Sequence, residues 1–201
     1  MIVRHNNQLS LFQVSAGVPT HYKRSETKPV HYISFGNQGY KLLRHLHEQQ
    51  FLGQLSVISQ MVINTKYPIN SYYINCQQKH EGYAKDPICL PDNFSAKLKS
   101  YNHHIVIVDL SKPYHQVLAD AVISYLKLNG LSYHVIALCS VENDAHKQER
   151  LESFMVAHYN KYLTVLYNPT LTTHAAMPFS DYYKLQYNNV AQKCLELLKK
   201  L

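Results

Sequence analysis

Two short apolar runs constrain this chain most, because each reads as a strand buried on both faces. His104-Ile105-Val106-Ile107-Val108-Asp109-Leu110 places β-branched residues in unbroken succession, and Tyr133-His134-Val135-Ile136-Ala137-Leu138-Cys139 is nearly as apolar. A strand with one wet face alternates apolar and polar residues. A run without that alternation belongs to a sheet covered by helices on both sides, which is the setting of parallel strands. Between the two runs, Val117, Leu118, Ala121, Val122, Tyr125 and Leu126 fall at helical spacing. Pro113 suits that helix's first turn, where its missing N–H costs nothing, and Asn129-Gly130 stops it. Strand, helix and strand in this order make a parallel βαβ unit.

The alternation extends in both directions. His31–Phe35, Val57–Ile63, Tyr72–Cys76 and Leu163–Tyr167 read as further strands. Tyr40, Leu42, Leu43, Leu46 and Phe51 make a helical stripe, and Asn93 or Ser95 is expected to cap a short helix running to about Ser100. Leu151, Phe154, Met155, His158, Tyr159 and Tyr162 form another helical face. Ser180 or Asp181 is expected to cap a long final helix with the stripe Tyr183, Tyr187, Val190, Cys194, Leu197 and Leu201. The predicted class is α/β: a three-layer, Rossmann-like fold with a mainly parallel sheet of about six strands, helices on both faces and a long C-terminal helix. Residues 1–30 are polar and irregular and are expected to form an extension; residues 31–201 are expected to form one domain.

At 46% hydrophobic and 16% charged residues over 201 positions, the chain can bury a full core. Its formal net charge of +7 invites a nucleic-acid partner. The basic residues are scattered, however, without a dense Lys/Arg stretch interleaved with aromatics, so a solvated basic surface is the stronger expectation. No apolar run reaches the roughly 18–20 residues of a membrane span, and Met1–Val30 lacks a secretory apolar core. A cytoplasmic protein without a membrane partner is expected. The four cysteines are far apart, with no CxxC pair. The pairs His45/His47 and His103/His104 point their members in divergent directions on a helix and a strand, and no metal site is expected.

In a doubly wound sheet, ligands bind outside the carboxyl ends of the strands. Those ends are Gly36–Gly39, Asn64-Thr65, Asp109–Tyr114, Ser140–Asp144 and Asn168–Leu171. Ser34-Phe35-Gly36-Asn37-Gln38-Gly39 runs from a strand through a glycine turn into a helix. A helix N-terminus there offers backbone N–H groups and a positive dipole end to a phosphate. The turn has two glycines where a dinucleotide fingerprint has three, and a tight strand-to-helix turn explains them equally well. Gly39→Val is expected to change ligand affinity only if a nucleotide binds. An enzyme using the same edge would draw on Asp109, Lys112, His115, Glu142 and Asp144, although Asp109 serves equally well as a cap for the turn at Ser111-Pro113. No nucleophile elbow or Walker loop accompanies them.

The succession resembles the nucleotide-binding domain of the FtsZ/tubulin family over roughly His31 to Leu201, in order and spacing more than in identities. Gly36-Asn37-Gln38-Gly39 stands where that family has its first glycine-rich loop, and Ile63-Asn64-Thr65 resembles the Val-Asn-Thr after its second strand. Leu163–Asn168 followed by Leu171 resembles its strand ending in Asn-x-x-Leu. The final helix resembles the family's long central helix. The resemblance then implies a purine-stacking aromatic at Tyr183 or Tyr187 and a base-reading amide at Asn188 or Asn189.

The departures are chemical. The family's second phosphate loop, GGGTGTG, is replaced by Leu110-Ser111-Lys112-Pro113-Tyr114, with no glycine. Side chains there block close approach, and Pro113 has no N–H to donate, leaving Lys112 as a point charge. The family's catalytic acids come from a second domain of a neighbouring subunit, and the expected chain lacks that domain. The resemblance implies GTP or GDP as the ligand class and a scaffold without GTP hydrolysis, acting through a protein partner or a second copy. A hydrolase and a nucleic-acid-associated protein are the alternatives.

Overall fold

The computed structural model describes residues 30–51, 53–59, 61, 63–64, 66–74, 89–140, 145–158, 162–168 and 178–201. Their elements are β1 Val30–Phe35, α1 Gly36–Glu48, β2 Gln54–Ser59, β3 Ile69–Tyr73, α2 Asp92–Lys99, β4 His103–Asp109, α3 Pro113–Leu128, β5 Ser132–Ser140, α4 Ala145–His158, β6 Leu163–Asn168 and α5 Phe179–Leu198. The strands form one parallel sheet in the order β3-β2-β1-β4-β5-β6. The three-layer α/β fold with a long C-terminal helix is the one the alternation predicts.

Two cores, one on each face, account for the unbroken apolar strands. On one face Ile33, Phe35, Val106, Val108, Val135 and Ala137 pack under Phe94 and Leu98 of α2, Leu118, Val122 and Leu126 of α3, and Leu151 and Phe154 of α4. On the other, Tyr32, Leu55, Val57, Ile105, Ile107 and Leu138 pack under Leu42, Leu43 and Leu46 of α1 and Val190, Cys194 and Leu197 of α5. Neighbouring strand residues point to opposite faces, so β4, covered on both, has an interior that is buried throughout. Asn129 caps α3, and Gly130 follows with φ +64°. The Leu131 and Gly130 amides donate to the Leu126 and Lys127 carbonyls, closing the helix as a Schellman turn.

Several boundaries and caps differ from the sequence expectation. β2 and β3 each begin three residues earlier than the apolar runs indicate. Polar Ser56 fits inside β2 because its hydroxyl is hydrogen-bonded to His31 Nε2 at 2.7 Å, and the exposed Asn70 and Ser71 of β3 alternate with buried Ile69 and Tyr72. Neither Asn93 nor Ser95 caps α2, and neither Ser180 nor Asp181 caps α5. Both helices instead start after a proline, Pro91 or Pro178, in extended backbone, with no side-chain cap. The sequence also predicts a polar loop at Gln77–Pro91 and a short strand at Gln8–Val14; the loop lies largely, and the strand with the extension before Val30 wholly, outside the described residues. No helix among the described residues is long and apolar enough to cross a membrane.

Candidate functional site

The strand order sets the site. After β1 the chain moves to β2 and β3 on one side, then returns to β4 on the other. The carboxyl ends of β1 and β4 are therefore the switch point, where the helices that follow depart to opposite faces and leave a crevice. A cavity of about 340 Å³ lies there, within the size range of small-molecule sites. Ser34, Asn37, Gln38 and Gly39 line it from β1 and α1, and Asp109, Ser111, Lys112, Tyr114 and His115 line it from β4 and α3. Leu138 of β5 and Tyr183, Gln186 and Tyr187 of α5 complete it.

Two helix N-termini meet at this cavity. Phe35 caps α1 and Lys112 caps α3, neither with a side-chain hydrogen bond, and neither helix has an acidic residue in its first turn. Both positive dipole ends are thus left without a carboxylate from their own helix. The single acid in the lining is Asp109, and its carboxylate oxygen accepts the Ser111 N–H at 2.9 Å. Asp109 therefore caps its own turn.

Packing explains both glycines. Gly36 opens α1 at φ +64°, and a Cβ there would lie 2.5 Å from His115 Nε2. A Cβ on Gly39 would lie 2.7 Å from Ser34 Oγ and 3.0 Å from the Ser34 carbonyl carbon. Ser34 is itself held by its hydroxyl, which donates to the Ile107 carbonyl at 3.0 Å. Gly39→Val would therefore disturb the β1–α1 junction whether or not a ligand binds, in addition to any effect on affinity.

His115 is buried, at 2% exposure. Its Nδ1 is 3.1 Å from the Asp109 carbonyl oxygen, so Nδ1 carries the hydrogen and donates. Nε2 is then a bare lone pair, buried and without a partner. Burial lowers the imidazole's pKa, Asp109 opposes this through its charge and its carbonyl, and Lys112 adds to it. Across the cavity the Tyr187 hydroxyl donates to Gln38 Oε1 at 3.1 Å, and burial pushes its pKa up to about 12.

The structure brings together Asn37, Gln38, Gly39, Lys112, Tyr183 and Tyr187 around one cavity, with Gly36 beneath His115. Asp109 and His115, candidates for an enzyme, line the same cavity, and the remaining residues singled out from sequence lie elsewhere or outside the described residues. Asn64 is exposed beyond β2. Asn188 Oδ1 accepts from His45 Nε2 of α1 at 2.9 Å. Asn189 lines a second cavity of about 280 Å³ with Leu166, Tyr167 and Lys193. Asn168 ends β6, whereas Glu142, Asp144, Thr65 and Leu171 lie outside the described residues. His45 and His47 diverge, the second meeting the Tyr67 ring edge-on. Gln186, which also lines the cavity, has no place in the motifs named from sequence. Gln186 could have been found, because Tyr183, Gln186 and Tyr187 share one helix face at i, i+3, i+4 spacing.

No family model and no curated protein matches the sequence. Solved structures do match its fold. An FtsZ dimer without ligand from M. jannaschii superposes with a TM-score of 0.64 at 13% identity, covering 86% of this chain and 55% of the other. CetZ from Methanosaeta thermophila gives 0.57 at 12% identity, over 84% of this chain and 53% of the other. The phage tubulin PhuZ, solved with GDP, gives 0.54 at 13% identity, over 84% and 55%. The chain spans little more than half the length of these structures. Sheet order, layers and these superpositions agree that the chain has the FtsZ/tubulin-like α/β fold.

Proposed function

We propose that this chain is a non-catalytic FtsZ/tubulin-like module that takes a guanine nucleotide weakly at the switch-point cavity and works through contacts with a protein partner or a second copy. One observation carries the reading: the β4–α3 turn has the position of a phosphate cradle and little of its chemistry. The Ser111 N–H already serves Asp109, Pro113 has no N–H, and His115 fills the space over Gly36. Lys112 and the α1 N-terminus remain as attractive groups for a phosphate, and Tyr183 and Tyr187 offer ring faces on the opposite wall. PhuZ was solved with GDP and the M. jannaschii FtsZ as a dimer, which supports both halves of the proposal by likeness of fold.

Titration calorimetry with GDP and GTP tests it. The expected dissociation constants are micromolar to millimolar, with no phosphate release on prolonged incubation. A sub-micromolar constant for GTP, or steady turnover, would refute the proposal. Light scattering tests the partner half, and a monomer at every concentration would exclude the second copy.

A further inference from the structure

We propose that His115 hydrogen-bonds an oxygen of a phosphate bound in the switch-point cavity, that it does so as the imidazolium, and that binding therefore takes up one proton. The inference rests on the reading of the cavity as a phosphate-bearing site and adds the group that replaces the missing glycine cradle.

The argument begins with the orphaned nitrogen. With Nδ1–H committed to the Asp109 carbonyl, Nε2 of the neutral ring can only accept. It is buried, has no partner, and sits against Gly36 at the N-terminus of α1. An unsatisfied buried acceptor carries a standing penalty of about 1–3 kcal/mol. Phosphoryl oxygens are acceptors too, so the neutral ring offers them nothing. Protonation turns the same atom into a donor beside Gly36, in the lining where the α1 dipole end and Lys112 already attract an anion.

The groups facing His115 determine the direction of the coupling. Asp109 on β4 favours the imidazolium, whereas Lys112 on the turn opposes it. Tyr114 on α3 and Tyr183 and Tyr187 on α5 are the other titratable groups of the lining, and β1, α1 and β5 contribute neutral ones. In the empty cavity burial is the largest influence, so the ring stays neutral to below its usual range. A dianion seated between Lys112 and the α1 N-terminus adds an opposite charge and raises the pKa. Between the two values the complex holds one proton more than the separate partners. Affinity then rises as pH falls, by up to tenfold per pH unit, and levels off above the bound value and below the free one.

The probe is inorganic sulfate, whose charge is constant across about pH 5 to 8, with guanosine monophosphate and guanosine as the other arms. His115 is followed by NMR titration of the wild-type protein, and dissociation constants are measured by calorimetry at several pH values. The expected results are a raised His115 pKa in sulfate, several-fold to tenfold tighter sulfate binding per unit of falling pH, and no effect of guanosine on His115. His115→Gln, which keeps a donor for the Asp109 carbonyl, should remove the pH dependence and weaken sulfate at least tenfold at the acid end. An unchanged His115 pKa, or sulfate binding independent of pH, overturns the inference. Nucleotide binding without pH dependence sinks this inference and leaves the nucleotide reading standing. Proton-coupled sulfate binding, with guanosine monophosphate no tighter than sulfate, supports the inference and sinks the guanine reading. Failure of both probes to bind overturns the two together.

Discussion

Gly36→Ala is the sharpest probe of how the cavity is held. Gly36 sits at φ +64°, where an L side chain costs roughly 1–2 kcal/mol relative to glycine. The new methyl would also lie 2.5 Å from His115 Nε2, a separation two such atoms do not tolerate. The ring must swing away, and because it is buried it cannot move without giving up the Nδ1–H bond to the Asp109 carbonyl, worth about 1 kcal/mol. Together these predict a loss of about 2–3 kcal/mol, read in urea denaturation followed by circular dichroism as a lower midpoint at unchanged slope. The reasoning separates in a double-mutant cycle. His115→Ala removes the clash but not the backbone penalty, so the combined variant should be about 1 kcal/mol more stable than the sum of the two single losses indicates. A loss below about 0.5 kcal/mol for Gly36→Ala, or additivity within about 0.3 kcal/mol in the cycle, would refute the account.

Three further outcomes follow from the packing and the buried histidines. Gly39→Ala should cost about 1–3 kcal/mol in the absence of any ligand, because its Cβ meets Ser34 backbone as well as side chain; unchanged stability would show that the β1–α1 junction can give. Phe154→Ala, emptying a fully buried site on α4, should cost about 3–5 kcal/mol and leave sulfate binding intact at the cavity, whose lining does not include it; a loss of binding greater than the loss of folded protein would contradict the separation of the two regions. Burial drives the His31 pKa from 6.5 down to about 3, with His104 and Lys97 adding to it, and takes His104 to about 4. The folded pKa lies below the unfolded one, so the unfolded chain binds more protons in that window. The stabilisation is fully present above about pH 6.5 and is lost as pH falls towards 3, by on the order of 4 kcal/mol for His31 alone. Denaturation midpoints that do not change between pH 7 and 5 would refute this.

How much of this was legible in the sequence depended on whether the signal was local. The unbroken Ile105–Val108 run announces its two buried faces, and Asn129-Gly130 announces the helix end, because each is a property of consecutive residues. The β2 and β3 boundaries were not legible. Ser56 is tolerated in β2 because His31 and Tyr72 reach it from the neighbouring strands. The cavity was half legible. Strand ends and helix starts can be read in order, so Gly36–Gly39, Lys112 and Tyr187 could be nominated. A glycine, however, records only that a side chain does not fit, not what fills the space. At Gly36 the filler is His115, a residue 79 positions away that meets it only once α1 and α3 leave the sheet on opposite faces. Asn188 and Asn189 show the reverse case. One residue of register on a helix turns a side chain by about 100°, which sends Asn188 to His45 and Asn189 to the second cavity.

The hydroxyl of Tyr187 makes the cavity's contents and the seating of α5 a single variable. It spans from α5 to Gln38 in the first turn of α1, so a guest that displaces Gln38 or the ring also unfastens the helix at that point. α5 runs for 20 residues, about 30 Å, and one turn beyond Tyr187 it is anchored on Val190, Ala191 and Cys194. That geometry is a lever with its fulcrum in the core, one arm over the cavity and the other running to the C-terminal end of the helix. A shift at the cavity would thereby be carried about 17 Å along the axis, from Tyr187 to Leu198. Amide hydrogen exchange along α5 in sulfate, compared with Tyr187→Phe, would show whether the lever moves: coupling predicts altered protection beyond Cys194, and protection unchanged in both would exclude it.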